Sequence, residues 1–386
     1  LYKKTLLKEF SFLVLKYFLI WYNYNGDRMK VVISAGGTGG HIYPALAIID
    51  KIKEKEPNSE FLYIGTTNRM EKDIIPEKNI PYIGINVSGI SRKLTLKNIK
   101  SVTNFLIGIN KCKKEIKKFN PDIVIGAGGY VTAPVIIAAK KSGYKTLVHE
   151  QNSILGLSNK ILLKYTDTLC TSFETMKVSN VKCVYTGNPA SESIITKKPY
   201  DKKEFGLSKS KKLVLIVMGS LGSSTVNEVL KDSLTKFDSK YEVVIVTGKN
   251  YYEEFQNKEK GKNVFIFPYI DDLSRLMKVT DVLVTRAGAT TLSEIMVTKT
   301  PSILVPSPYV TENHQYKNAM YLVNKNAGVL LEEKNLTPKT LVDEVNNLIN
   351  NPNKCLEIKD NLENIGKKNS ATLIYNEIKE LLNDKK

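Results

Sequence analysis

The chain has 386 residues, 42% hydrophobic and 25% charged, a globular composition with length enough for two domains. Its 57 Lys and Arg outnumber 39 Asp and Glu; the net charge of +18 points to a phosphorylated substrate, anionic lipid or nucleic acid, or to a general bias towards Lys, Asn and Ile. Four scattered cysteines, Cys112, Cys170, Cys183 and Cys355, have neither C-x-x-C spacing nor a metal-ligand pattern, so they argue against a disulfide scaffold and suit a reducing compartment.

The first 28 residues differ from the rest. Phe10–Tyr22 is apolar and aromatic, but Lys16 interrupts it, and it falls short of the about 20 apolar residues that span a bilayer. It lacks the small-residue cleavage site of a signal peptide. Met29 then opens Met-Lys-Val-Val-Ile-Ser-Ala, a first strand. The expectation is a native start at Met29, with residues 1–28 a non-native or weakly ordered extension; a short interfacial anchor is the alternative.

From Met29 onward, short apolar runs rich in Val and Ile alternate with helical stretches. Strands are expected at Lys30–Ala35, Phe61–Ile64, Asp122–Gly126, Thr146–His149, Thr168–Thr171 and Cys183–Thr186. A second series follows at Leu213–Met218, Glu242–Thr247, Val264–Pro268, Asp281–Thr285, Ser302–Val305 and Gly328–Leu331. Continuous apolar strands separated by helices imply parallel sheets buried on both faces. Twelve strands are many for one such sheet, and Gly187–Pro199 reads as a break. The fold class is therefore α/β: two Rossmann-like, doubly wound parallel-sheet domains, residues 29–190 and 191–368, with a cleft between them. A last helix within 369–386, at Asn369–Leu382, is expected to pack back on the first domain. Ligands of such sheets bind beyond the carboxyl ends of the strands.

Six loops lie there. Gly36-Gly37-Thr38-Gly39-Gly40-His41 follows the first strand and opens a helix; glycines admit a ligand to the backbone and the helix start attracts anions. It is neither a Walker A loop nor a clean G-x-G-x-x-G, which argues against a nicotinamide oxidoreductase. His41 is a base candidate at that helix start. Gly126-Ala127-Gly128-Gly129-Tyr130 makes a second cradle. His149-Glu150-Gln151-Asn152 puts four polar residues at a strand end, read as substrate contacts rather than core. Gly219-Ser220-Leu221-Gly222-Ser223 offers backbone N–H groups and a hydroxyl to a phosphate. Arg286-Ala287-Gly288-Ala289-Thr290-Thr291-Leu292-Ser293-Glu294 opens another helix whose free N–H groups suit a diphosphate, with Thr291-x-x-Glu294 also readable as a capping box. Glu312-Asn313-His314-Gln315 is the sixth. The chain's three histidines, His41, His149 and His314, all fall in these loops, yet without the spacing of a zinc site.

Taken in order, Gly-Gly-Thr-Gly-Gly-His, Gly-Gly-Tyr, His-Glu-Gln-Asn, Gly-Asn-Pro, Gly-Ser-Leu-Gly-Ser, Arg-Ala-Gly-Ala and His-Gln-Tyr-Lys-Asn-Ala closely resemble the MurG family, glycosyltransferase family 28, from Met29 to near the C-terminus. The resemblance implies a GT-B enzyme that inverts configuration while moving N-acetylglucosamine from UDP-N-acetylglucosamine to undecaprenyl-diphospho-muramoyl-pentapeptide (lipid I to lipid II). It would sit peripherally on the cytoplasmic face of the cell membrane, with no cofactor, no metal and no nucleic-acid partner. The second domain would hold the donor: Ser220 and the start of the helix at Arg286, Ala289, Thr290 and Thr291 by the phosphates, Ile270 by the uracil, Glu294 on the ribose and Gln315 on the sugar. Thr38, Gly39, Gly40 and Asn152 would also reach the donor, and Gly128, Gly129 and Tyr130 would line the acceptor side. His41 is the expected base, with Glu150 its rival. Where many relatives carry an Arg after Gly-Asn-Pro, this chain has Ala190-Ser191, so that Arg's role does not transfer.

For the membrane face, apolar contact is expected from Ile74, Ile75, Ile80 and Ile83. The stretch Val102–Ile109, flanked by Lys97, Lys100, Lys111, Lys113, Lys114, Lys117 and Lys118, would add to it. Rival readings are another GT-B lipid glycosyltransferase, a UDP-sugar epimerase, or a non-catalytic subunit that binds a nucleotide sugar.

Overall fold

The computed structural model describes residues 28–89, 96–174, 178–219 and 224–384. Residues 1–27 of the expected extension, and Ser220 with the loop that follows it, lie outside the described residues.

Strands and helices alternate along both halves. In the first half they are β1 (Lys30–Ser34), α1 (Gly39–Lys55), β2 (Glu60–Thr66), α2 (Glu71–Glu77), β3 (Tyr82–Ile85), α3 (Leu96–Phe119), β4 (Ile123–Gly126), α4 (Thr132–Lys141), β5 (Lys145–Glu150), α5 (Leu157–Leu162), β6 (Thr168–Thr171) and β7 (Lys182–Tyr185). In the second half come β8 (Lys212–Val217), α6 (Ser224–Lys231), β9 (Tyr241–Val246), α7 (Tyr252–Gln256), β10 (Val264–Phe267), α8 (Leu273–Met277), β11 (Val282–Thr285), α9 (Ala289–Thr298), β12 (Ser302–Leu304), α10 (His314–Val323), β13 (Val329–Leu330), α11 (Pro338–Ile349), α12 (Pro352–Ile365) and α13 (Ser370–Asn383). The first sheet runs β3-β2-β1-β4-β5-β6-β7 and the second β10-β9-β8-β11-β12-β13. Every strand pair is parallel.

The sequence makes these strands because their Val and Ile side chains fill both faces. Ile33 and Ile125 lie under one cover of the first sheet, Val32 and Val124 under the other. Both sheets use the same device to fix register: Asp122 accepts the N–H of Lys30 at 2.8 Å, and Asp281 accepts that of Leu213 at 2.8 Å. The α/β class read from the sequence therefore stands. One strand was missed: β3, only Tyr-Ile-Gly-Ile, is a short edge strand whose first three residues are half-buried.

In each sheet the order reverses between two neighbours, β1 and β4 in the first, β8 and β11 in the second. Crevices open at such points. Ser34 is level with Gly126 and Thr285 with Val217, so paired loops leave each sheet side by side. Helix α13 returns to the first sheet: Ile374, Ile378 and Leu381 join its core, and Lys379 and Tyr375 bond Glu56 at 2.6 and 2.9 Å.

Candidate active site

The two glycine loops of the first domain brace one another. Gly36 N–H donates to Gly128 O at 3.2 Å and Ala127 N–H to Ser34 O at 2.8 Å. Thr38 is the N-cap of α1, extended at φ −145° and ψ 158°, and makes no side-chain cap, so Gly39 and Gly40 sit at an open helix start. His41 follows. Its Nδ1 lies 3.1 Å from Gly36 O and 3.4 Å from Thr38 Oγ1. A carbonyl only accepts, so the proton belongs on Nδ1 and Nε2 keeps its lone pair. Burial holds the imidazole below its usual pKa; Glu150, the Gly36 carbonyl and Glu71 pull it up, and His314 of the other domain pushes it down. Gly128 and Gly129 have φ of +101° and +85°, and a Cβ would collide with the His41 ring at the first and with Gly36 O at the second. Tyr130 stands beside them, its hydroxyl accepting from Arg69 Nε at 3.3 Å.

The third loop corrects the sequence reading. His149, Glu150 and Gln151 are core, 0%, 2% and 2% exposed, because β5 runs on to Glu150 before it turns. His149 donates from Nε2 to Gly187 O and accepts at Nδ1 from Gln151, both at 3.0 Å; burial lowers its pKa to about 4. Glu150 accepts from Asn152 N–H at 2.9 Å, Asn152 Nδ2 at 3.2 Å, Gly156 N–H at 3.0 Å and Asn159 Nδ2 at 2.8 Å. Four donors occupy the lone pairs of a carboxylate, so Glu150 is withdrawn as the rival base. Asn152, expected on the donor, is likewise engaged: its Oδ1 accepts from Asn318 of the second domain at 3.2 Å.

In the second domain, Gly288 is the N-cap of α9 and makes no side-chain cap, so Ala289, Thr290 and Thr291 stand at an open helix start. The capping-box alternative is not used. The buried Thr290 hydroxyl has no partner among the described residues. A Cβ placed on Gly40 would lie 3.9 Å from that oxygen, so the helix starts of the two domains face each other. Beside them runs a cleft of about 850 Å³ lined by Thr290, Glu294, Lys197, Tyr269, Asp272 and Tyr43. Burial pushes the Glu294 carboxyl up to about 7, opposed by Lys197 and reinforced by Asp272. Lys197, unremarked in the sequence, puts a cation on this wall and pairs with Asp272 at 3.0 Å. Ile270, next to Tyr269 of that wall, is 8% exposed and belongs to the second domain's core. Gln315, one residue into α10, accepts from Ser307 N–H at 2.9 Å through Oε1.

Arg286 requires a second correction. Its guanidinium is buried, bonds Val305 O at 3.1 Å and pairs with Glu333 at 2.5 Å, so it braces the domain rather than meeting phosphate. Two residues that sequence reasoning passed over also converge here. Glu71, 0% exposed, accepts the Gly37 N–H at 3.0 Å and stands outside every motif; Asn318, which lies in His-Gln-Tyr-Lys-Asn-Ala but was given no role there, joins the domains.

Two parallel-sheet domains, with a histidine loop on one facing an anion-receptive helix start on the other, define the GT-B class of nucleotide-sugar enzymes. Residues 31–171 match the glycosyltransferase family 28 N-terminal domain and residues 213–377 the glycosyltransferase family 28 C-terminal domain. The chain belongs to glycosyltransferase family 28. It is 42% identical over 361 residues to the UDP-N-acetylglucosamine--N-acetylmuramyl-(pentapeptide) pyrophosphoryl-undecaprenol N-acetylglucosamine transferase of Bacillus subtilis (strain 168), covering 92% of this chain and 99% of the relative. A Bacillus cereus (strain ATCC 14579) enzyme of the same description, numbered 1, is 43% identical over 362 residues, covering 92% and 100%. The crystal structure of Acinetobacter baumannii MurG superposes with a TM-score of 0.76 at 26% identity, covering 91% of this chain and 99% of that one.

Proposed function

We infer that this chain is a UDP-sugar hexosyltransferase. It transfers N-acetylglucosamine from UDP-N-acetylglucosamine to undecaprenyl-diphospho-muramoyl-pentapeptide, the lipid I to lipid II step of peptidoglycan synthesis. Family membership supports the substrates, and one observation carries the mechanism: the helix start that ends in His41 faces the start of α9, a Cβ on Gly40 lying 3.9 Å from the Thr290 hydroxyl.

The acceptor hydroxyl oxygen attacks the anomeric carbon from the face opposite the diphosphate. The carbon–oxygen bond to the diphosphate breaks, configuration inverts once, and the hydroxyl proton passes to His41 Nε2. Its lowered pKa keeps the imidazole neutral, hence basic, near pH 7. UDP departs with its charge against the N–H groups of Ala289, Thr290 and Thr291 and the unpartnered Thr290 hydroxyl. Glu294 receives the ribose hydroxyls, Ile270 flanks the uracil, Gln315 meets the sugar and Ser220 the phosphates. Thr38, Gly39 and Gly40 lie between the donor sugar and the acceptor diphosphate, with Gly128, Gly129 and Tyr130 on the acceptor side.

The enzyme works on a lipid-linked acceptor from the membrane surface. Among the described residues no helix is long and apolar enough to cross a membrane. Ile75 and Ile80, expected to touch lipid, are core at 0% and 4% exposure, and Ile74 and Ile83 are partly buried against the same cores. Among the apolar side chains that do reach solvent, Val102, Leu106 and Ile107 stand on α3 and Leu157 and Ile161 on α5. Lys113, Lys114, Lys117 and Lys118 are exposed further along α3. That mixture suits an anionic bilayer.

The test is a transfer assay with UDP-N-acetylglucosamine and a short-chain lipid I analogue, read by product mass. The acceptor should gain one N-acetylhexosamine. His41→Ala should lower turnover by about 10²- to 10⁴-fold and leave UDP affinity nearly unchanged. Turnover that survives the substitution removes His41 from the base role, and UDP release without a heavier acceptor removes the assigned acceptor.

A further inference from the structure

We propose that Glu71 is a positioning residue for the reaction, acting through the Gly36–Gly37 peptide group to orient and polarise the histidine that takes the acceptor's proton. This rests on His41 being the base.

The geometry is a relay through one peptide. The Gly37 N–H donates to Glu71 Oε2 at 3.0 Å, and the Gly36 carbonyl of the same peptide accepts from His41 Nδ1 at 3.1 Å. In a trans peptide the N–H and C=O point in opposite directions, so carboxylate, peptide and imidazole are connected end to end. Negative charge on the N–H side enlarges the carbonyl dipole, which strengthens its hold on the Nδ1 proton and leaves Nε2 more basic. The peptide is also held from its flanks. A Cβ on Gly36 would strike Glu71 Oε1, and a Cβ on Gly129 would strike Gly36 O.

The charge itself needs an explanation. Glu71 is 0% exposed, and no Lys or Arg is paired with it among the described residues. Its other oxygen accepts only from Thr66, at 3.1 Å from the N–H and 2.6 Å from the hydroxyl. Arg69 acts on Glu71 electrostatically without pairing with it, and a neutral acceptor would serve a loop that needed only bracing. Besides its place in the first turn of α2, an anion there acts electrostatically on the imidazole. The groups acting on His41 are Glu150 and Glu71, which favour its protonated form, and His314 from the second domain, which opposes it; His149 lies within electrostatic range as well.

The test is Glu71→Gln in the full chain, an isostere without charge, read by the imidazole NMR titration of His41 and by the pH profile of kcat. With three histidines in the sequence, the His41→Ala spectrum assigns the signal. The His41 pKa should fall by about half a unit or more. The acid limb of kcat should move down with it, and kcat at neutral pH should drop several-fold while the KM for UDP-N-acetylglucosamine stays within about twofold. In a His41→Ala background, Glu71→Gln should cost nothing further. Glu71→Asp, which keeps the charge but sets it back by one methylene, should displace the titration less; it stands alone if Glu71→Gln does not fold, and an unmoved titration there overturns the relay. Full turnover in His41→Ala overturns the base reading and the relay with it. Loss of turnover in that variant, with an unmoved His41 titration in Glu71→Gln, overturns the relay alone.

Discussion

At the scale of single residues, the ionisation of Glu294 has a measurable consequence. Its carboxyl is pushed up to about 7 by burial, so it passes from neutral to charged in the working range of pH. The ionised form offers lone pairs to two ribose hydroxyls at once, whereas the protonated form uses one oxygen as a donor. Affinity for UDP should therefore strengthen as pH rises from about 6 to 8, through the folded-state pKa. Glu294→Gln should flatten that dependence and weaken binding by about tenfold at pH 8, the value of one hydrogen bond to a charged group. Calorimetric titration with UDP at several pH values checks it, and an equally steep dependence in the variant would remove Glu294 from the ribose. What the sequence revealed at this scale follows from range. Glycine loops and the histidine that closes one are local patterns, readable because a turn and a helix start demand them. The His149–Gln151 run misled because polarity at a strand end ordinarily means solvent, and nothing within the run says that Gly187 and Asn159 close over it. Glu71 was silent for the same reason: its partner peptide is 34 residues away.

At the scale of elements, the sequence placed the strands well because each is a continuous apolar run, and it failed where a run had two explanations. Ile75 and Ile80 looked available for lipid, but α2 and the segment entering β3 turn them into the core of the first sheet, while β3 itself was too short to register. Helix α3 carries the apolar surface instead. Leu106 is 56% and Ile107 60% exposed, which folding alone does not require. Both α3 and α5 pack on α4, so their exposed apolar side chains belong to one side of the domain. Burying each of these two side chains in the interface contributes about 1.5 kcal/mol or more, roughly tenfold in affinity. Leu106→Glu combined with Ile107→Glu should therefore weaken binding to phosphatidylglycerol vesicles by at least about tenfold and leave transfer to a water-soluble short-chain acceptor intact. Vesicle co-sedimentation reads the first effect and the mass assay the second. Unchanged sedimentation would assign the membrane contact to another face.

At the scale of the whole molecule, the question is what holds the two domains at a distance where His41 and the start of α9 share one substrate. The chain crosses between domains more than once: α13 returns to complete the first core, and Phe173, at the end of β6, stacks edge-on against Tyr321 of α10 at 4.8 Å. The tie nearest the chemistry is Asn318. Its Oδ1 accepts from Ser153 N–H at 2.8 Å, and its Nδ2 donates to Asn152 Oδ1 at 3.2 Å and to Ala287 O at 3.3 Å. One buried amide thus grips the loop after β5 and the turn before α9, the turn that aims that helix start across the cleft. Asn318→Ala leaves a buried N–H and two carbonyl-type oxygens without their partner, at about 1–3 kcal/mol for each unmet group. Relaxing the domains apart lets water satisfy them, so the substitution should favour an open form. With UDP held as proposed, by Ile270, Glu294 and the start of α9, its contacts survive opening and its binding should change by less than about threefold. Turnover needs both domains on one substrate and should fall by at least about tenfold, as expected when a reacting pair is displaced by an ångström or so. Comparing UDP titration with transfer rate separates the two effects. Equal losses in both would mean that Asn318 supports the second domain itself, and wild-type turnover would mean that the grip on Asn152 and Ser153 does not set the closed geometry.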